Sequence, residues 1–241
     1  MANFISVNGM VITGNNIHIS GNSMARTLRG NGEASEDNRK LEETFDKVDI
    51  SALPNSTIRT GSTQMGVKLQ GDSNLLHQLE TVVEDGTLFV RPKDGAQLQS
   101  QTPLCAEIFL QDLTGISASA SAVVSANQVM ASLLQLTSSS SSKIQVEGQL
   151  GKVQVQASSS SLVRLSGQAD SLSVSASSSA NVDAQNLPVR QAQTGASSSA
   201  RVTINASEAL DARASSSGQV WYVGDPSVQR QISSSGKVSH L

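Results

Sequence analysis

Carboxylates, histidines and serines are the side chains in this sequence that could do chemistry. Paired carboxylates on one face, beside aromatics that stack a sugar, would suit glycoside cleavage. Asp183 and Asp211 are the outward candidates, but they are 28 residues apart (211 − 183) and fall in different columns of the pattern set out below. Glu33, Glu36, Asp37, Glu42 and Glu43 cluster in a polar stretch and read as solvated charge. His18, His77 and His240 have no metal-ligand spacing. No Gly-x-Ser-x-Gly elbow surrounds a serine, and Gly30 and Gly32 precede no apolar helix that would hold a nucleotide. Cys105 is the only cysteine, so it forms no internal disulfide and reads as a small buried hydrophobe. These residues give no catalytic group, no metal site and no cofactor. Trp221 and Tyr222 are the only Trp and Tyr. Alternation turns Tyr222 inward and leaves Trp221 outward, as a contact surface or as a cover for the last coils or another subunit.

Composition narrows the class. Of the 241 residues 37% are hydrophobic, only 2% aromatic and 15% charged, with a formal net charge of −3. Nucleic acid as a partner is excluded on that balance, because phosphate binding needs a concentrated Lys/Arg surface. No window of 18 residues is continuously apolar, which excludes a helical membrane span. Residues 1–7 show neither a basic n-region nor a long apolar h-region, so no secretory signal is visible and a cytoplasmic location is the expectation from that feature, with the compartment otherwise open.

Any outward residue must be held by the repeat that fills the second half. Serine clusters precede strand starts at Ile144, Val163, Val182, Val202, Val220 and Val238, with a weaker copy before Val124. The intervals are 20, 19, 19, 20, 18 and 18 residues, and a fixed period of this size marks a solenoid. Within a repeat the parity is two: Leu172, Val174, Ala176, Ser178, Ala180 and Val182 alternate with polar residues. Period two means extended chain with one buried face.

The expected fold is therefore all-β, a single-stranded parallel β-helix of about 19 residues per coil. Like residues stack in columns at a strand spacing of about 4.8 Å. Parity carried through the serine clusters places Ser140, Ser159, Ser178, Ser198, Ser216 and Ser234 in an internal column, each hydroxyl satisfying nearby backbone at a bend. Gly148, Gly167, Asn186, Ala206 and Gly224 read as corners, four of the five being residues that tolerate left-handed backbone. The outward serines, with Gln154, Gln156 and Arg164, make a flat polar face.

The first half is less regular. Residues 1–30 read as a hairpin-like extension around Gly14-Asn15-Asn16, and 31–44 as a polar linker. Residues 45–116 read as irregular first coils and 117–241 as serine-marked repeats. Asp85-Gly86 is a hairpin signal, and Asp72-Ser73-Asn74 can cap a short helix.

Several of these elements occur in a characteristic order: Phe45-Asp46-Lys47-Val48, Gly71-Asp72-Ser73-Asn74-Leu75-Leu76, Glu84-Asp85-Gly86-Thr87-Leu88, then the serine repeats, and Tyr222-Val223-Gly224-Asp225-Pro226. That order resembles the head GIN domain of auto-transporter adhesins over roughly residues 45–241. The resemblance implies a right-handed β-helix, the hand that parallel crossovers prefer. It also implies export to the bacterial envelope or surface and an adhesive role. This chain has Ala-Ser-Ser-Ser-Ala where family repeats usually have Ser-Gly-Ser-Gly.

Three functions follow as expectations. One is a non-enzymatic, adhesin-like binding protein whose partner is a surface glycan or protein. An alternative is an intracellular scaffold that self-associates through its open coil ends. The weakest is a carbohydrate-active enzyme on the same scaffold.

Overall fold

The structure, a computed structural model, describes residues 4–7, 10–13 and 27–241. It is an all-β solenoid of about seven turns with about 19 residues per turn. Long strands Val123–Ser138, Lys143–Ala157, Leu162–Ala176, Asn181–Ala196 and Arg201–Ala214 pair in parallel, each with the next. The last coil splits into Gln219–Val223 and Ser227–Ile232, and Lys237–His240 pairs outside the former.

Alternating Val, Leu, Ile and Ala build the core, because β-branched residues suit extended chain and every second side chain turns inward. The column Val124, Ile144, Val163, Val182, Val202, Val220 and Val238 runs the length of the repeats with no member more than 7% exposed. Coil length varies at the bend and not at the serines. The register shifts at Ala126/Val129, where Gln128 has φ 58°, and at Ala184/Pro188, so the two 20-residue coils absorb their extra residue there.

The serine clusters correct one expectation. Ser140, Ser159, Ser178, Ser198, Ser216 and Ser234 do not form an internal column; all six are exposed. Each is the first of two consecutive left-handed residues, for example Ser178 at φ 51° and Ser179 at φ 63°. The residue after the pair donates its N–H back across the turn, as from Ala180 to the Ser177 carbonyl at 3.0 Å. Two left-handed residues closed by that bond make a type I′ turn, which swings the middle side chains to solvent. Parity survives at the turn's flanks. Ser138 and Ser142 are buried with their hydroxyls 2.8 Å apart, and Ser161 donates to the Ser138 carbonyl at 2.9 Å. In later coils those slots hold Ala176 and Ala180, or Ala196 and Ala200.

The turns stack. The N–H of the second left-handed serine donates to the first serine's carbonyl one coil on, from Ser141 to Ser159, Ser160 to Ser178 and Ser179 to Ser198, at 2.9–3.0 Å. These bonds hold a backbone conformation that costs an L-residue about 1–2 kcal/mol. Ser178→Val is therefore expected to destabilise by about 1–2 kcal/mol, and Ser178→Gly to leave stability unchanged or slightly raised. Denaturant melts of both variants check this; a well-tolerated valine would show that the left-handed backbone does not limit which residue this position accepts.

The corners are corrected too. Of the five expected, only Gly167 (φ 108°) and Gly224 (φ 91°) are left-handed. Gly148 is required for close approach: a Cβ there would lie 2.1 Å from the Val129 carbonyl oxygen.

The first coils cap the solenoid. Lys47–Ser51 and Asn55–Arg59 run parallel to Gly115–Ser119 and Cys105–Phe109, whereas Gly66–Asp72 and Leu79–Glu84 pair antiparallel. Asp85-Gly86 closes the latter hairpin with both residues at positive φ. Residues 31–44 are not simply a linker. Ala34–Lys40 is a strand antiparallel to Gly66–Asp72, and Arg39 ties it down through the Leu76 and Leu79 carbonyls and Thr81. This strand is polar on both sides, as suits a sheet edge, so no apolar alternation reveals it. In the first segment Phe4–Val7 pairs antiparallel with Met10–Thr13. The expected turn at 14–16 and the run at 17–19 lie outside the described residues.

Candidate functional site

Each coil presents two outward faces, one before the serine turn and one after it. Register assigns the residues. After the turn, one column reads Gln145, Arg164, Asp183, Thr203, Trp221 and Ser239; beside it runs Lys143, Leu162, Asn181, Arg201, Gln219 and Lys237. Before the turn, Gln135, Gln154, Ser173, Gln193, Asp211 and Gln229 form a column, with Gln135 Nε2 donating to Gln154 Oε1 at 3.1 Å. Arg164 thus lies on a different face from Gln154 and Gln156. Asp183 and Asp211 are likewise on opposite faces.

Trp221 is outward and half-buried. Its Nε1 donates to Gln219 Oε1 at 3.3 Å, and the Lys237 ammonium lies 4.5 Å from the ring centroid. Asn181, Asp183, Gln185, Arg201, Thr203 and Leu241 join it around an open groove of about 360 Å³. Asp183 Oδ1 accepts from the Gln185 N–H at 3.2 Å. An aromatic surface next to amide, hydroxyl, carboxylate and guanidinium groups can hold a polar ligand by stacking and directed hydrogen bonds. Only the single Trp signalled this groove in the sequence, since its other walls come from coils 18–40 residues away.

The opposite face has a groove of about 380 Å³ between Lys152, Ser173, Gln193, Asp211 and Gln229, with no aromatic residue. A third cavity, about 560 Å³, lies in the first coils among Arg39, Leu41, Met65, Lys68 and Phe109.

Perturbed carboxylates gather in the first coils, away from the Trp221 groove. Burial pushes the Asp49 carboxyl up, partly offset by Arg91. Its register neighbours are Phe89 and Ser117, so no second carboxylate sits beside it in the ladder as a glycoside-cleaving pair requires. Glu36 is held low by the hydrogen bond from Lys68 and then that from Gln70. His77 and His240 are exposed, and no cluster of three or more potential metal-ligating side chains occurs among the described residues. Cys105 is half-buried on the outward side of its strand and is not the core residue expected. Among the described residues no helix is long and apolar enough to cross a membrane.

A solenoid with two flat polar faces and one aromatic groove belongs to the class of extended-surface β-helix proteins. The chain is a member of the head GIN domain family: the model for “Putative auto-transporter adhesin, head GIN domain” matches residues 44–226. Solved structures share the fold. A “putative adhesin” of Bacteroides fragilis superposes with a TM-score of 0.79 at 21% identity, over 89% of this chain and 100% of that one. A “putative lipid binding protein” of Parabacteroides distasonis gives 0.74 at 20% identity, over 90% and 100%. A “putative adhesin” of Parabacteroides merdae gives 0.69 at 18%, over 90% and 100%. No functionally curated protein matches the chain.

Proposed function

We propose that this protein is a non-enzymatic binding module that holds an extended glycan along its post-turn face. The observation that carries the reading is Trp221, the chain's single tryptophan, half-buried at the edge of a groove otherwise lined mainly by hydrogen-bonding side chains. Family membership in the adhesin heads and the lack of a register-paired carboxylate beside Asp49 agree with binding rather than turnover. Stacked coils repeat polar side chains at about 4.8 Å, which suits a linear ligand laid along the columns.

A panel of immobilised glycans and matrix proteins tests the proposal. Wild type is expected to bind a glycan saturably. Trp221→Ala is expected to weaken that binding at least tenfold, the loss of an aromatic anchor being worth about 2 kcal/mol or more. Absence of saturable glycan binding, or full binding by Trp221→Ala, would overturn it.

A further inference from the structure

We infer that the ligand of the Trp221 face is an acidic polysaccharide, one bearing carboxylate or sulfate groups; this rests on the glycan-binding reading above. The observation is the distribution of positive charge that no carboxylate neutralises. The whole chain is net negative, at −3. Lys143, Arg164, Arg201 and Lys237 nevertheless all project from the post-turn face, all exposed, in two adjacent columns. Opposing them on that face are Glu147 and Asp183, so cations outnumber carboxylates four to two.

Pairing sharpens the contrast. The ion pairs among the described residues join Arg39 to Asp37, Arg59 to Glu107, Lys68 to Glu36, Arg91 to Glu80, Arg190 to Asp170 and Arg213 to Asp211. None of the four cations on the Trp221 face is in that set. On the pre-turn face Arg213 is neutralised by Asp211, Lys152 is left outside the ion pairs, and the columns are mainly glutamine and serine.

Spacing follows from register. Lys143, Arg201 and Lys237 share one column, separated by three coils and then two, or about 14 and 10 Å. Arg164 stands in the neighbouring column with Trp221, three coils away. Positive charge therefore recurs along the direction in which a linear chain would lie; the coil that carries Trp221 lies between those of Arg201 and Lys237, and Arg201 itself lines the groove. An anionic chain whose rings stack on Trp221 satisfies both features. A neutral glycan would bring no anion to the four cations, of which Lys237 meets only the indole and Arg201 only the Gln219 amide, and a purely electrostatic ligand would have no use for the indole.

Because Trp221 is the only tryptophan, its intrinsic fluorescence reports directly on the groove. The full chain is titrated with polygalacturonate, with a neutral linear galactan and with short duplex DNA. The expected result is a saturable change with polygalacturonate that weakens as salt rises, with the galactan and DNA at least tenfold weaker. Arg201→Glu combined with Lys237→Glu should lower polygalacturonate affinity at least tenfold. Lys152→Glu, on the opposite face, should leave it unchanged, and circular dichroism confirms that each variant is folded. Equal binding of galactan and polygalacturonate would overturn the acidic assignment and leave the glycan reading standing. Equal binding of DNA, or no effect of the double reversal, would likewise overturn it. Failure of every glycan to perturb Trp221 would remove both.

Discussion

Replacing Arg230 and His240 together by leucine is expected to make the chain self-associate through the coil face that these two side chains cover. Leu136, Val155, Val174, Thr194 and Ala212 form one column, each buried, and its last member is Arg230. Arg230 lies across the end of the core, donating to the Tyr222 hydroxyl at 2.7 Å with its guanidinium 5.8 Å from the ring centroid. His240 ends the column of Ile204 and Tyr222 and meets the Tyr222 ring edge-on at 5.1 Å. Its Nε2 is 3.0 Å from the Gly224 carbonyl oxygen.

Two polar side chains thus close a core that would otherwise present an apolar end. Polar side chains in the inward columns oppose the burial that stacking another coil would require. The edge strands Ser227–Ile232 and Lys237–His240 each pair on one side only, and Ile232 is 51% exposed. With leucine at both positions, apolar surface and unpaired backbone coincide, the combination that promotes edge pairing. Light scattering should find wild type at one-chain mass and the double variant at two chains or more, at equal concentration. A double variant that stays at one-chain mass would show that this end is closed by something other than charge. The scaffold alternative requires stacking at coil ends, and at this end the protein places charge against it.

The second large effect is expected at Asp72, where replacement by asparagine should lower the thermal midpoint at neutral pH by more than any exposed polar substitution. Asp72 is fully buried. One carboxylate oxygen accepts the Gly32 N–H at 2.7 Å; the other accepts the Ser100 hydroxyl at 2.5 Å, the Gln101 N–H at 2.7 Å and the Thr102 N–H at 3.3 Å. Gly30 packs against the same carboxylate so closely that a Cβ there would lie 2.1 Å from Oδ2. One side chain therefore joins segments 30–32 and 100–102 to the start of the short helix Ser73–Leu76. Asparagine keeps the volume but turns an N–H₂ toward donors, leaving buried N–H groups opposed.

The pH dependence has a definite sign. The Ser100 hydroxyl and the three backbone N–H groups hold the Asp72 carboxyl below the usual aspartate range, despite its burial. A carboxyl with a lowered folded-state pKa stabilises fully above its unfolded value, and that stabilisation is lost as pH falls through the folded value. The gap between wild type and Asp72→Asn should therefore be constant near neutrality and narrow below about pH 4. Thermal melts of both proteins across that range decide it. A gap that widened in acid would place the stabilisation elsewhere.

Asp72 also illustrates where sequence reasoning stops. Its position before Ser73 and Asn74 marks a helix cap, and the helix Ser73–Leu76 does start there, but its side chain makes no capping bond. The carboxylate turns instead to residues about 30–40 positions away, which only the folded cap brings within reach. Arg39 is similar: Ala34–Lys40 carries no apolar alternation, and its partners at Leu76, Leu79 and Thr81 are set by tertiary pairing.

Sequence by itself determined the architecture of the repeats: all-β, parallel, near 19 residues per coil, with valine and leucine inside and Trp221 outside. The physical reason is that period-two alternation is local and a register repeated many times over-determines the pairing. Tertiary structure alone decided what the serines do. Extended parity would turn Ser140 and its equivalents inward, but two left-handed residues per turn, held by hydrogen bonds to the next coil, turn them to solvent. It alone also decided which outward residues meet. Parity assigns a residue to the outside, but only the register of stacked strands brings Arg201, Asp183 and Lys237 beside Trp221 on one face and sends Asp211 to the other.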